Sequence, residues 1–191
     1  MKNEYERKDV KNVDYSDYLN YTDEKIKTCC FTGHRPKALP WGFDESDLRC
    51  AAFKSKVRFT VENLIVERGY KKFISGMAMG ADMICAEIVL MLRNIYPYIK
   101  LECAVPNYAF TESWAAEDIR RYSSILTRAD SIKFVSESRI YSKRDLMLRN
   151  IYMVDSSELV IAVYTDGETG GTKNTIDYAV HKNKEVMLIA P

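Results

Sequence analysis

Phe73-Ile74-Ser75-Gly76-Met77-Ala78-Met79-Gly80-Ala81-Asp82 joins a short apolar run to two glycines four residues apart and a carboxylate. Beyond it Ala81, Ile84, Cys85, Ile88 and Leu92 recur at the spacing of a buried helix face, whereas Lys71 to Ser75 is long enough only for a strand. The stretch predicts a strand, a glycine turn and a helix. Glycine at such a junction permits a positive φ or a close backbone approach, and a helix start offers unpaired N–H groups and a partial positive charge. An anion site fits this turn. So does plain packing of helix on strand, because G-x-x-x-G-A-D is neither the dinucleotide fingerprint nor a Walker loop.

Outward from the turn, the alternation repeats. Strands are predicted at Thr28 to Thr32, Tyr70 to Ser75, Ile99 to Val105, Ser131 to Val135, Glu158 to Tyr164 and Glu185 to Ala190. Helices are predicted at Asp44 to Arg68, Gly80 to Tyr96, Thr111 to Ala129 with Thr111 as N-cap, Ser142 to Asp155, and Thr172 to His181. Right-handed crossovers between such elements give an α/β fold: a Rossmann-like three-layer sandwich around a mostly parallel sheet of about six strands. The first 25 residues carry mixed charges and Tyr5, Tyr15, Tyr18 and Tyr21 with almost no periodic apolar pattern. Residues 1–26 therefore read as an N-terminal arm and 27–191 as one domain.

Composition narrows the function. Of 191 residues, 47% are apolar, and 28 Lys and Arg stand against 27 Asp and Glu, a net charge of +1. That balance argues against a dedicated nucleic-acid binder and leaves room for a local basic cleft. No apolar run reaches the roughly 18 residues of a membrane span, and Met1 to Tyr5 lacks a signal-peptide core, so a cytoplasmic protein with no membrane partner is expected. Cys29, Cys30, Cys50, Cys85 and Cys103 lack zinc-type pairing and read as reduced core thiols.

A parallel sheet puts every strand-to-helix loop on its carboxyl edge, where ligands bind at the switch in strand order. The loops on that edge are the long and chemically varied ones. Gly33, His34, Arg35 and Lys37 offer a free backbone and donors suited to phosphate or carboxylate; His34 and Arg35 fit equally the task of bonding neighbouring loops and holding Pro36 and Trp41. Gly167-Glu168-Thr169-Gly170-Gly171-Thr172 ends in a backbone nest at a helix start, a second anion site or a hinge before a capped helix. Asp82 fits a ribose hydroxyl or the N–H groups of its own helix. Arg139, Lys143, Arg144 and Arg149 add charge near the fourth loop, Asn150 is placed to face inward, and Tyr108 with Trp114 fits either core or a cover for a base. His181 reads as a solvated last-turn residue. No nucleophile–base pair or metal spacing stands out, so the catalytic residues are left open and neither metal nor cofactor is expected.

Thr32-Gly33-His34-Arg35-Pro36, Ser75 to Asp82, Gly170-Gly171-Thr172, Leu39-Pro40-Trp41-Gly42 and Arg149 to Asp155 together resemble the SLOG superfamily (Smf/DprA and Lonely Guy proteins), within it the YpsA-like group of bacterial proteins. The likeness runs from about Lys27 to Pro191. It implies a Rossmann-like domain binding a nucleotide, a nucleotide-derived signal or nucleic acid through Gly33, His34, Arg35, Ser75, Gly76, Gly80, Asp82, Gly170, Gly171 and Thr172. Lonely Guy enzymes cleave the base from a nucleoside monophosphate with a Gly-Gly-x-Gly-Thr-x-x-Glu motif, and aligning Gly171-Thr172 with its Gly-Thr puts Thr175 where the catalytic glutamate belongs.

The reading is nucleotide-ligand binding without Lonely Guy-type catalysis. One alternative is a phosphoribohydrolase-like enzyme using Asp82 or Glu168; the other is single-stranded nucleic-acid binding as in the DNA-processing branch. Relatives often pair, so the resemblance also carries an expectation of a homodimer.

Overall fold

The computed structural model describes residues 26–167 and 169–191, so the tyrosine-bearing arm up to residue 25 and Glu168 lie outside the described residues. Six strands form one wholly parallel sheet: β1 (Thr28–Gly33), β2 (Lys72–Ser75), β3 (Lys100–Val105), β4 (Ser131–Phe134), β5 (Leu159–Val163) and β6 (Glu185–Ile189). Their order across the sheet is β4-β3-β2-β1-β5-β6. The helices between them are α1 (Leu48–Val66), α2 (Ala81–Leu92), α3 (Ala116–Arg128), α4 (Lys143–Asp155) and α5 (Gly171–His181), with a short 3-10 turn at Pro36–Ala38.

The side-chain period of two along each strand divides the core into two layers. Cys29, Phe31, Phe73, Leu101, Cys103, Ile161 and Val163 pack with Phe53 and Val57 of α1, Ile84 and Ile88 of α2, and Ile125 of α3. Their neighbours Cys30, Ile74, Ala104 and Val160 pack on the other side with Met153, Val154 and Ala179 of α4 and α5. Because both faces are covered, β5 reads Leu-Val-Ile-Ala-Val with every residue buried rather than alternating. All five cysteines are buried and free. Among the described residues, no helix is long and apolar enough to cross a membrane.

Three helix starts differ from the sequence expectation: at α5 the N-cap is Gly170 and Thr172 lies inside the helix, and local hydrogen bonds explain the other two. Asp44 accepts from Ser46 N and Oγ and so holds a turn, leaving Asp47 to cap α1 at Arg49 N, 2.7 Å. Thr111 lies in a run of turns ahead of α3, where Trp114 N donates to its carbonyl at 3.0 Å and Trp114 packs on Phe110 and Tyr122.

The chain leaves β1 toward β2 on one side, and returns after β4 to lay β5 on the other. The carboxyl ends of β1 and β5 are therefore the switch point, where two loops diverge and leave a crevice.

Candidate functional site

Gly33 closes β1 at this crevice. A Cβ there would come within 2.5 Å of Ala81 Cβ and 2.8 Å of Val163 Cβ, so its bareness lets the first turn of α2 settle against β5. His34 then ties the loops together. Its N–H donates to Val163 O (3.2 Å), its carbonyl accepts from Ala81 N (3.1 Å), and Nε2 accepts from Thr165 N (2.9 Å). An accepting Nε2 implies a neutral ring with its proton on Nδ1. The buried ring also lies 5.6 Å from that of Tyr164. Arg35, next along, is exposed, and its guanidinium makes no hydrogen bond or ion pair among the described residues.

The turn after β2 is closed on itself. Ser75 Oγ donates to Asp82 O (2.8 Å) and accepts from Met77 N (3.1 Å), while Met77 is held at φ 59° and fully buried. Such a φ is costly for a side-chain-bearing residue and persists only where surroundings fix it. Gly80 has φ 95°, and a Cβ there would meet His34 O at 2.7 Å. Asp82 Oδ2 accepts from Ala78 N (3.4 Å) and faces Arg149 Nη1 at 3.8 Å, with both side chains 6% exposed. Arg149 in turn donates through Nη1 to Gly76 O and through Nε to Asn150 Oδ1. Asp82 Oδ1 is buried and has no hydrogen-bond partner among the described residues. Burial pushes the Asp82 carboxyl above its ordinary pKa, against the pull of Arg149, the Ala78 amide and Arg35.

The third wall is the start of α5. Gly170, at φ 120°, is the N-cap and carries no capping side chain, so the first N–H groups of the helix have no intrahelical acceptor and, among the described residues, no side-chain cap. A Cβ at Gly170 or Gly171 would meet nothing within 4 Å among the described residues. These walls enclose a cleft of about 280 Å³ lined by Gly33, His34, Arg35, Asp82, Arg149, Asn150, Thr169, Gly171 and Thr172, among others. An adjoining groove of about 550 Å³ runs between α4 and α5 and shares Arg35, Leu146, Asn150 and Gly171 with it.

Six of the ten predicted residues, Gly33, His34, Arg35, Asp82, Gly171 and Thr172, thus line one cleft. Ser75, Gly76 and Gly80 are not part of its lining: they hold the turn behind Asp82. Gly170 sits between two lining residues, Thr169 and Gly171. The sequence reading counted Arg149 only as charge near the fourth loop and not among the ligand-binding residues. Its signal was a buried stripe on α4, Asp145, Arg149 and Met153 at intervals of four, in which two of three members are charged. Tyr108 stacks on Phe134 at 4.4 Å, and neither it nor Trp114 lines the cleft. No three His, Cys, Asp or Glu among the described residues group as metal ligands.

A family model described as the YspA SLOG family matches residues 29–189. An uncharacterized SPbeta prophage-derived protein, YoqJ, of Bacillus subtilis (strain 168) is 34% identical over 136 residues, covering 66% of this chain and 79% of that protein. A UPF0398 protein of Bacillus cereus (strain G9842) is 24% identical over 159 residues, covering 83% and 85%. DNA processing protein A from Helicobacter pylori, solved for its single-stranded DNA binding mode, matches with a TM-score of 0.57 at 16% identity. That match covers 86% of this chain and 66% of the solved one, and it is a likeness of fold.

Proposed function

The chain belongs to the YspA SLOG family, and on that premise we propose that its cleft binds a nucleotide or nucleotide-derived ligand without Lonely Guy-type hydrolysis. The observation that carries this reading is the buried Asp82 Oδ1, which lines the same cleft as Arg35 and the start of α5, all three without a partner or cap among the described residues. A lone carboxylate oxygen suits a sugar hydroxyl. A guanidinium beside free helix N–H groups suits a phosphate. A ligand carrying both groups close together satisfies all three sites at once, and a nucleotide is such a ligand.

Thr175 supports the reading without Lonely Guy-type hydrolysis. Its side chain is buried and Oγ1 donates to Gly171 O at 2.8 Å, so it closes the first turn of α5 and brings no carboxylate to the cleft. Asp82 is the single carboxylate lining the cleft among the described residues, and Arg149 faces it. The Glu168 route of the alternative lies outside the described residues. A cytoplasmic setting fits five buried, unpaired cysteines. The homodimer expected from the resemblance belongs to the same proposal, and light scattering on the chain in solution decides it.

The test is thermal unfolding with nucleoside mono-, di- and triphosphates, ADP-ribose, NAD and a short single-stranded DNA, followed by a search for released base. A binder at ~100 times its dissociation constant adds about 2.7 kcal/mol to the native state. Arg35→Ala is expected to weaken nucleotide binding roughly 10- to 100-fold, the worth of a charge-assisted hydrogen bond at about 1.5–3 kcal/mol, while leaving the free protein as stable as the parent. Lack of any shift across the panel sinks the reading, and released base turns it into the phosphoribohydrolase alternative. Single-stranded DNA as the binder, with affinity falling steeply in salt, transfers the site to the activity named for the Helicobacter pylori protein.

A further inference from the structure

Helix α1 is apolar on two sides. Cys50, Phe53, Val57, Val61 and Leu64 are buried in the core, while on the opposite side Leu48, Phe59 and Val66 are 85%, 73% and 56% exposed. With Ala52 and Ser55, also exposed, these three follow one another along the helix as Leu48, Ala52, Ser55, Phe59 and Val66. Such alternating steps of four and three residues make a seam that pairs two helices, unlike apolar residues scattered singly over a surface. The helix runs for 19 residues, or about 28 Å, close to the width of the roughly 800 Å² patch per partner that a stable interface needs.

The charges on α1 point to what covers the seam. Its bases, Arg49, Lys54, Lys56 and Arg58, all precede its acid Glu62 and the C-cap Glu67. Of the five helices among the described residues, it alone has neither an acidic residue in its first turn nor a basic one in its last. That order runs against the helix dipole. A second α1 lying antiparallel corrects it at both ends, because the two dipoles oppose and each basic half meets an acidic one.

Shape favours the same arrangement. Crossing at the level of Val57, two antiparallel copies set Leu48 against the partner's Val66 and Phe59 against the partner's Ser55. Ser55 borders a hollow of about 290 Å³ between α1 and α2, with Ile84, Ile88 and Met91 in its lining, so a protruding ring faces a hollow in both directions. Arg49 and Glu67 lie five helical turns apart on one flank of the seam, which brings each beside the other's counterpart. Arg49 is within 2.6 Å of Asp47 of its own chain, yet its side chain is still 61% exposed.

We infer that α1 is the face on which two copies of this chain pair, antiparallel about a two-fold axis. A contact of this kind is self-complementary and closes at two copies. The inference deepens the homodimer reading by placing its interface, and it is independent of the ligand, since α1 lines neither the cleft nor the groove between α4 and α5.

Light scattering on the full chain over a range of concentrations tests it, and the expected mass is twice that of the chain. Phe59→Asp, at an exposed position, is expected to weaken association at least about 30-fold, the effect of losing an aromatic anchor, with the far-UV circular dichroism of the chain unchanged. Arg49→Glu and Glu67→Arg each bring like charges together twice about the axis, and each is expected to weaken its own homodimer roughly tenfold. Within one chain both place a charge that the helix dipole favours, so a role confined to the folded monomer predicts no loss. Mixed in equal amounts, the two charge variants are expected to pair with each other and recover the association of the parent. A chain that stays monomeric overturns this inference together with the homodimer reading. A dimer that survives Phe59→Asp, and whose charge variants show no preference for mixing, overturns this inference alone and moves the pairing to another face.

Discussion

In the turn after β2, a methyl group on Gly76 would meet Arg149 Nη1 at 2.3 Å and Asp82 Oδ2 at 2.7 Å; in the turn before α5, one on Gly170 or Gly171 would meet nothing within 4 Å among the described residues. Both turns join a parallel strand to a helix on the same edge, and both are rich in glycine. The first has its space filled by this chain's own side chains, and the second keeps its space open. Glycine in a strand-to-helix loop therefore has two meanings that sequence does not separate: room for a neighbouring residue, and room for something the chain does not supply.

The largest effect expected is on the filled turn. Gly76→Ala displaces Arg149 from Asp82 and from the Gly76 carbonyl, and breaking a buried pair costs about 3–5 kcal/mol. Urea unfolding reads this directly, and a loss within about 0.5 kcal/mol, the range of an ordinary surface change, would make the two turns equivalent. On the open turn, Gly171→Asp is expected to leave stability unchanged or raise it by about 0.3–1 kcal/mol, because a carboxylate at a helix start is favourable there. The same charge repels a phosphate, so the stabilisation by nucleotide should disappear. Loss of stability in Gly171→Asp would show the open turn to be packed after all.

The smallest effect is one of pH. Burial raises the Asp82 pKa above its ordinary value of 3.8, so the folded state holds this proton more tightly than the unfolded chain does. The stability this contributes is full below the unfolded value and is lost as pH rises through the raised folded value. The stability of the parent relative to Asp82→Asn is therefore expected to fall as pH climbs through that window. A difference that stays flat, or grows with pH, would mean that Arg149 outweighs the burial.

Sequence revealed the fold because the deciding signals are local. The helix stripe of Ala81, Ile84, Cys85, Ile88 and Leu92, and the unbroken apolar run of β5, can be read without knowing what they touch. The open turn and Arg35 were legible for a related reason: glycines and an arginine on the ligand edge of a parallel sheet need no partner to be noticed. Arg149 was not legible. Its bond to Gly76 spans 73 residues and exists only because α4 crosses to the other face of the sheet. His34 sits between these cases. Its place on the edge follows from sequence, but the engagement of Nε2 with Thr165 follows from the pairing of β1 with β5, 131 residues apart along the chain.

Cys29 and Cys30 are adjacent in β1 and face opposite layers. Both thiols are pushed up by burial, Cys30 to about 12, and neither reacts while its layer is shut. A thiolate-seeking reagent therefore reaches Cys29 when the α1–α3 side lifts and Cys30 when the α4–α5 side lifts. Two successive residues act as separate clocks for the two halves of the molecule: matching rates mean that the halves come apart as one cooperative unit, and differing rates mean that one side breathes before the other.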